Sequence, residues 1–398
     1  MGNLKVWTAN LMIGGTVLCC LSPAYAGGWD TLGVGSNELL FDNSRFAFEA
    51  TTKTVDRNVD YEVTNAEVAG RPVVGGPVKS RATPNIWNYQ FAAKFRLTDQ
   101  LDCMARTNDP YQIEEDLHQE WQGRFSLTRT SASGKAFNGT CAYKFQVRDG
   151  HYVRAIAGAN LLYLRYRTDN LSYGAFIPPS TYVDFPTRLD VRSDDPGVGW
   201  RVGASYEIPQ YAVRASLIYD SAIDVDLAGG REVTGVTSFD SFASVTMPQS
   251  LEFNLQTGIA PDWLATFGVK WVDWSKLQDL TVQNPAGSTV VNRFLGYDDG
   301  WTVRAGLAHK VNDWLKVGST VQWDRGIGQS YSDTYSFGVG TAIQLDKHAE
   351  LTIGTAATYK ASGTGDLTNL ASTSGATTQY KYGDSWNYTL QTKLKFSF

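Results

Sequence analysis

Past Leu21 the 398-residue chain has no apolar run long enough to cross a bilayer as a helix, which would need about 20 residues. Histidine is scarce, at four residues, His118, His151, His309 and His348. None has a Ser or Asp partner at a spacing that suggests a nucleophilic triad, so an enzyme such as a phospholipase or protease is not expected. Cysteine is equally scarce. Cys19, Cys20, Cys103 and Cys141 show no C-x-x-C and no zinc-type spacing, so neither a metal centre nor a cofactor is expected. No basic block stands out in a chain of formal net charge −5, which removes nucleic acid as a partner.

What is present begins at the N-terminus. Lys5, the apolar stretch Leu11–Leu21 and Ala24-Tyr-Ala26 form a charged region, a short hydrophobic region and an A-x-A site, so residues 1–26 read as a secretory signal peptide. Cys19 and Cys20 fall within it. The remaining pair, Cys103 and Cys141, reads as a structural disulfide in an oxidising compartment.

The C-terminus is more informative still. Tyr388, Leu390, Leu394, Phe396 and Phe398 share one parity, while Asn387, Gln391, Lys393, Lys395 and Ser397 share the other. Period-two alternation makes a strand with one apolar and one polar face. A bare terminal Phe398 on such a strand is the signature that outer-membrane barrel-assembly machinery reads. Mean hydropathy is −0.26 although aromatics reach 13%, which suits strands that spend half their residues on lipid and half on a polar lumen. A large secreted β-sandwich has the same composition, so the pattern along the chain must decide.

That pattern is regular. Alternating segments recur in pairs with short connections at 97–100, 148–151, 208–210, 260–262, 311–313 and 345–348, each carrying Pro, Gly, Asn or Asp. Longer polar stretches separate the pairs, near 64–83, 107–133, 169–195, 227–247, 283–299 and 362–384, with a shorter one at 327–332. Fourteen strands are predicted, starting near residues 45, 84, 100, 134, 151, 197, 211, 249, 263, 300, 314, 333, 348 and 385. Short turns at one end and long loops at the other predict an all-β transmembrane antiparallel barrel over 45–398, with 27–44 as a short plug-like segment. Outward aromatics recur eight residues apart as Tyr211/Tyr219, Trp263/Trp271 and Tyr388/Phe396. At ~3.4 Å per residue and a tilt near ~40° that is roughly 21 Å along the membrane normal, the separation of two aromatic girdles. The expected location is the outer membrane of a Gram-negative bacterium, as a monomer among its lipid and lipopolysaccharide.

Three motifs carry a resemblance. Asn108-Asp-Pro110-Tyr111 with Trp121-Gln-Gly-Arg124 downstream, Pro248-Gln-Ser250 opening a strand, and Trp271-Val-Asp-Trp274-Ser275 together resemble the FadL/TodX family of outer-membrane hydrocarbon transporters. The resemblance implies passive capture of long-chain fatty acids or similar hydrophobic small molecules, a hydrophobic interior, and a kink in the third strand that opens a lateral gap. Pro110 falls in or just beyond the third predicted strand; it makes either a bulge there or a simple strand end. The family's N-terminal hatch carries an N-P-A motif, whereas here Asn37-Glu-Leu39 stands in that place on a shorter segment. That puts gating by hatch movement in doubt.

For the ligand tail, the stretch 171–185 offers Leu171, Tyr173, Phe176, Ile177, Tyr182 and Phe185, as a capture groove or as a loop packed on itself. For a carboxylate head, inward parity offers Arg154, Arg201, Arg214, Lys270, Arg304 and Lys316, each of which could equally be salt-bridged to an inward acid. Tyr163-Leu-Arg165 resembles the family's Tyr-x-Arg, which would make Arg165 the head-group residue although its parity is opposite to Arg154. The second cation of the family falls on Asp298, leaving room for a neutral hydrocarbon. A water-filled porin or a structural barrel is the alternative function, and a soluble secreted binding protein a third.

Overall fold

A computed structural model describes residues 28–30, 37–177, 181–368 and 375–398; the expected signal peptide lies outside them. Fourteen antiparallel strands close into a barrel. They are β1 Phe46–Asp56, β2 Ile86–Arg96, β3 Leu101–Asn108, β4 Arg129–Arg148, β5 His151–Ile177, β6 Gly197–Ile208 and β7 Val213–Asp220. Then follow β8 Ser250–Ala260, β9 Trp263–Val272, β10 Gly300–Lys310, β11 Leu315–Asp324, β12 Thr334–Gln344, β13 Ala349–Lys360 and β14 Ser385–Ser397. Closure is made by β1 against β14, from Ala47↔Ser397 to Asp56↔Tyr388. Phe46 and Phe398 then exchange backbone hydrogen bonds of 3.0 and 2.8 Å.

The wall inverts the pattern of a soluble protein. Along β2, Trp87, Tyr89 and Phe91 point outward with about half their surface exposed, whereas the alternating Asn88, Gln90 and Lys94 are buried, Lys94 completely. A β-sandwich buries its apolar parity; only an apolar solvent outside makes the reverse stable. Register aligns the aromatics at two edges of this outer band. At the upper edge Tyr219, Trp271 and Trp301 line up across β7–β10 with Leu251 between the first two, and Trp323, Tyr335, Tyr359 and Trp386 lie side by side across β11–β14. At the lower edge Trp263 stacks on His309 (4.4 Å) and His348 on Phe398 (4.8 Å).

The short lower turns are those the sequence predicts. In Arg148-Asp-Gly-His151 the φ of +71° at Gly150 needs a residue without Cβ. The upper connections differ from the expected polar loops, because most are strands themselves. β5 pairs above the wall with Thr181–Arg192, which pairs with the hairpin Ile223–Val233/Thr237–Met247 and, beyond it, Asp279–Gln283 and Thr289–Phe294. A separate five-stranded sheet is built from Asp60–Val68, Arg71–Pro72, Lys79–Arg81, Gly363–Asp366 and Thr377–Tyr382. Each extension buries one apolar parity. The first covers a core that includes Trp29, Tyr111, Trp274 and Tyr297. The second covers a core with Tyr61, Trp121, Phe125 and Tyr380.

Candidate functional site

At the level of the wall the interior is polar and filled. All six inward bases singled out by parity are paired: Arg154 with Asp102 and Glu207 (2.7 Å each), Arg201 with Asp220 (2.7 Å), Arg304 with Glu252 (2.5 Å), Lys316 with Glu350 (2.9 Å), Arg214 with Glu38 and Lys270 with Asp30. Glu38 and Asp30 belong to the N-terminal segment, which therefore lies inside the barrel. Asn37 accepts from Arg201 (2.8 Å), Phe41 lies under the guanidinium of Arg214 (4.2 Å), and Asp42 accepts from Lys395 (2.9 Å). Short as it is, this segment is held by charges on opposite sides of the lumen.

One seam of the wall is incomplete. The β2–β3 ladder runs from Arg96↔Asp102 to Gln90↔Asn108 and ends there, although β2 continues back to Ile86. After Asp109-Pro110 the chain resumes as Gln112–Asp116, still paired to β4. Asn108 faces Ala136 and Gln112 faces Ser133, so four residues advance on one strand against three on the other. This is a bulge. Across the broken part, side chains replace the backbone ladder: Asn88 Nδ2 donates to Gln112 Oε1 (2.7 Å), and the Asp109 carboxylate accepts the Tyr89 amide. Tyr111 turns inward, bridged to Asp30, and packs close because Gly134 presents no Cβ to it. On the other side of β3, Cys103 and Cys141 oppose each other on the outer face and are joined (S–S 2.03 Å).

Above the wall the two apolar cores meet at a cavity of about 40 Å³. Its lining includes Trp29, Glu115, Tyr166, Arg293, Tyr297 and Tyr380. Trp29 Nε1 donates to Tyr297 Oη (3.1 Å), Tyr61 Oη donates to Glu115 Oε1 (2.6 Å), and Ser330 bonds Tyr380. Burial pushes the phenols of Tyr297, Tyr331 and Tyr380 up, so they remain neutral donors. Burial acts to lower the pKa of Arg293, but the surrounding Tyr166, Glu115, Tyr380 and Tyr297 outweigh it and hold the guanidinium above its ordinary value. Among the described residues Arg293 has no ion pair and no side-chain hydrogen bond. It is a permanent cation facing an aromatic cavity.

Other expected residues lie elsewhere. Arg165 faces outward on β5, 54% exposed and clamped by Asp190 at 2.9 and 2.5 Å. Odd-numbered residues of β5 point away from the buried Leu162, Leu164 and Tyr166, so the expected lumen role of Arg165 is corrected. Leu171 packs against the second core and Phe185 is half-buried. Tyr173, Phe176, Ile177 and Tyr182 lie outside the residues whose side chains are described. Asp298 is exposed. Arg293 was legible in principle: Val291, Arg293 and Leu295 share one parity within Thr289–Phe294 and its edge, a base between two apolar neighbours on one face.

Comparison with known proteins agrees with this architecture. The family model described as "Outer membrane protein transport protein (OMPP1/FadL/TodX)" matches residues 39–396. The long-chain fatty acid transport protein of Escherichia coli is 21% identical over 405 residues, covering 88% of each chain. That of Salmonella typhi is 23% identical over 188 residues, 40% of this chain and 42% of that protein's length. Among solved structures, a Pseudomonas aeruginosa FadL homologue superposes with a TM-score of 0.78 at 15% identity, covering 91% of this chain and 92% of that one. The P. putida toluene transporter TodX gives 0.60 at 14% identity, covering 92% and 93%. The chain belongs to the OMPP1/FadL/TodX family, β-barrels of the Gram-negative outer membrane that transport fatty acids and hydrocarbons and are not enzymes.

Proposed function

We propose that the protein takes up long-chain fatty acids or closely related amphiphiles, binding the carboxylate at Arg293 and the tail among the aromatic side chains of the mouth. The observation that carries this reading is the Arg293 guanidinium, without an ion-pair partner among the described residues, at the junction of two apolar cores. An alkyl tail gains ~25 cal/mol for each Å² removed from water, and a carboxylate hydrogen-bonded to a cation gains about 1.5–3 kcal/mol. A cavity near 40 Å³ is far below the ~300–1,000 Å³ of a ligand site, so a ligand binding at this place must displace side chains. Trp29 is the candidate to move, since it sits in the cavity wall on the N-terminal segment. Leu171 and Phe185 stand on the hairpin beside the second core, in keeping with a role in capture.

Release runs sideways through the seam at Asn108–Pro110. The axial route is obstructed by paired charges and the N-terminal segment, while the β2–β3 junction is closed by side chains. The same obstruction argues against a water-filled porin. A second reading, a neutral hydrocarbon, draws support from Glu115 and Asp366, whose charges also line the cavity and oppose a carboxylate.

One experiment separates them. In proteoliposomes, Arg293→Gln should weaken uptake of a fatty acid about 10- to 100-fold and leave an alkane of equal length within about twofold. Equal loss for both would remove the head-group role and favour the hydrocarbon reading.

A further inference from the structure

The outer surface of the wall carries a cluster of cations that transport leaves unused. At the upper end of β4 and β5 the apolar band finishes with Phe137, Leu161 and Tyr163, the rings of Phe137 and Tyr163 meeting edge to face at 6.3 Å. Beside them on β6, Val198 and Trp200 are 67% and 51% exposed. Lys135 of β4 is in register with Tyr163. Two residues above Tyr163, Arg165 lies directly opposite Arg192 of the strand Thr181–Arg192. Lys135 and Arg192 are both exposed and share the outward parity.

Three cations from three adjacent strands therefore converge within two rungs of the last outward aromatic ring. Like charges placed directly opposite in a sheet repel. Local acids relieve part of this, and Asp109 lies near enough to Lys135 to feel its charge. Asp190 takes one edge of Arg165, fixing its plane and leaving further donors free; Asp194 stands 3.8 Å from Arg192, both largely in solvent. Lys135 makes no ion pair among the described residues. The cluster, set among Asp190, Asp194 and Asp195, stands at the height where lipid head groups meet the barrel.

We propose that Lys135, Arg165 and Arg192 dock the phosphates of the outer-leaflet glycolipid, the lipid A head group of lipopolysaccharide, with its acyl chains on the apolar steps at Leu161, Val198 and Trp200. Guanidinium groups bind phosphate through paired N–H donors, and a partner anchored beside an apolar band must itself be an amphiphile. A soluble anion would meet the cations and leave the adjoining aromatic surface unused.

The test uses the full-length barrel in lipid nanodiscs, with lipid A in its bis-phosphorylated and dephosphorylated forms as probes and binding read by native mass spectrometry. The wild type should prefer the phosphorylated form at least about tenfold, and K135Q/R165Q/R192Q should abolish that preference while still binding fatty acid. The exposed single variant K135Q serves where the triple variant folds poorly, with about a threefold loss expected. A wild type that does not discriminate between the two probes, or variants that bind like it, would overturn the proposal.

Discussion

The six inward bases picked out by parity and Arg293 above the wall differ in their electrostatic setting. Arg154, Arg201, Arg214, Lys270, Arg304 and Lys316 each meet a carboxylate at ion-pair distance. Arg293 meets none among the described residues and is surrounded by phenol and indole rings. A paired buried charge holds structure together; Arg293 is only half-buried, its charge already favoured by neighbouring phenols and Glu115, and it has no ion-pair partner among the described residues. The paired bases of the wall are thus scaffold, with Arg106 on β3, buried and without an ion pair among the described residues, as the exception; Arg293 at the mouth is the base that faces a cavity.

Breaking the scaffold should have the largest effect. Asp102 compensates Lys94 and Arg154 at 2.7 Å and Arg96 at 3.2 Å, and the first two side chains are almost wholly buried. Asp102→Ala leaves uncompensated charge behind and should destabilise the barrel by about 3–5 kcal/mol, read as a shift of the urea midpoint in detergent. Arg293→Gln should do the reverse: stability changes by less than about 1 kcal/mol, while fatty-acid affinity in a fluorescence titration falls about 10- to 100-fold. Pro110→Ala supplies an amide donor at the incomplete seam and should slow release from preloaded proteoliposomes about fivefold without changing affinity.

The pH profile sharpens the contrast. A cation held above its usual pKa stays charged until pH rises past that raised value, so affinity should be flat from about pH 6 to 9. Weakening should appear only on the acid side, as the ligand carboxyl protonates near pH ~4–5. Titration of affinity against pH checks this; a fall on the alkaline side would assign the cation to a lysine. The smallest effect belongs to Arg165→Ala. Its exposed pair with Asp190 contributes about 0–1 kcal/mol, and fatty-acid affinity should not move.

Much of this was written in the sequence. The fourteen strand starts fall within two residues of their expected positions, except β4, which begins earlier at Arg129 and runs above the membrane. Period-two patterning is strong where one face meets lipid, as in Tyr388–Phe398. It weakens where strands rise into the extensions, because apolar residues there face an internal core rather than solvent of uniform polarity. Thr289–Phe294 sits in such a region and reads as loop, so the shared parity of Val291, Arg293 and Leu295 is its one signal and is easily passed over. Arg165 was misassigned for the opposite reason. A local Tyr-x-Arg pattern favoured it, while its parity relative to Arg154 already placed it outside. The bulge at Asn108–Gln112 was foreshadowed by Pro110, because a residue without an amide hydrogen cannot continue the ladder.

The most direct test of the central claim is a structure of the protein with a brominated long-chain fatty acid, whose anomalous signal fixes the tail and hence the direction of the head. The carboxylate should lie within hydrogen-bond distance of the Arg293 guanidinium, with Trp29 displaced from its place beside Tyr297. A tail bound elsewhere, or a carboxylate paired to a base of the barrel wall while Arg293 stays bare, would contradict it.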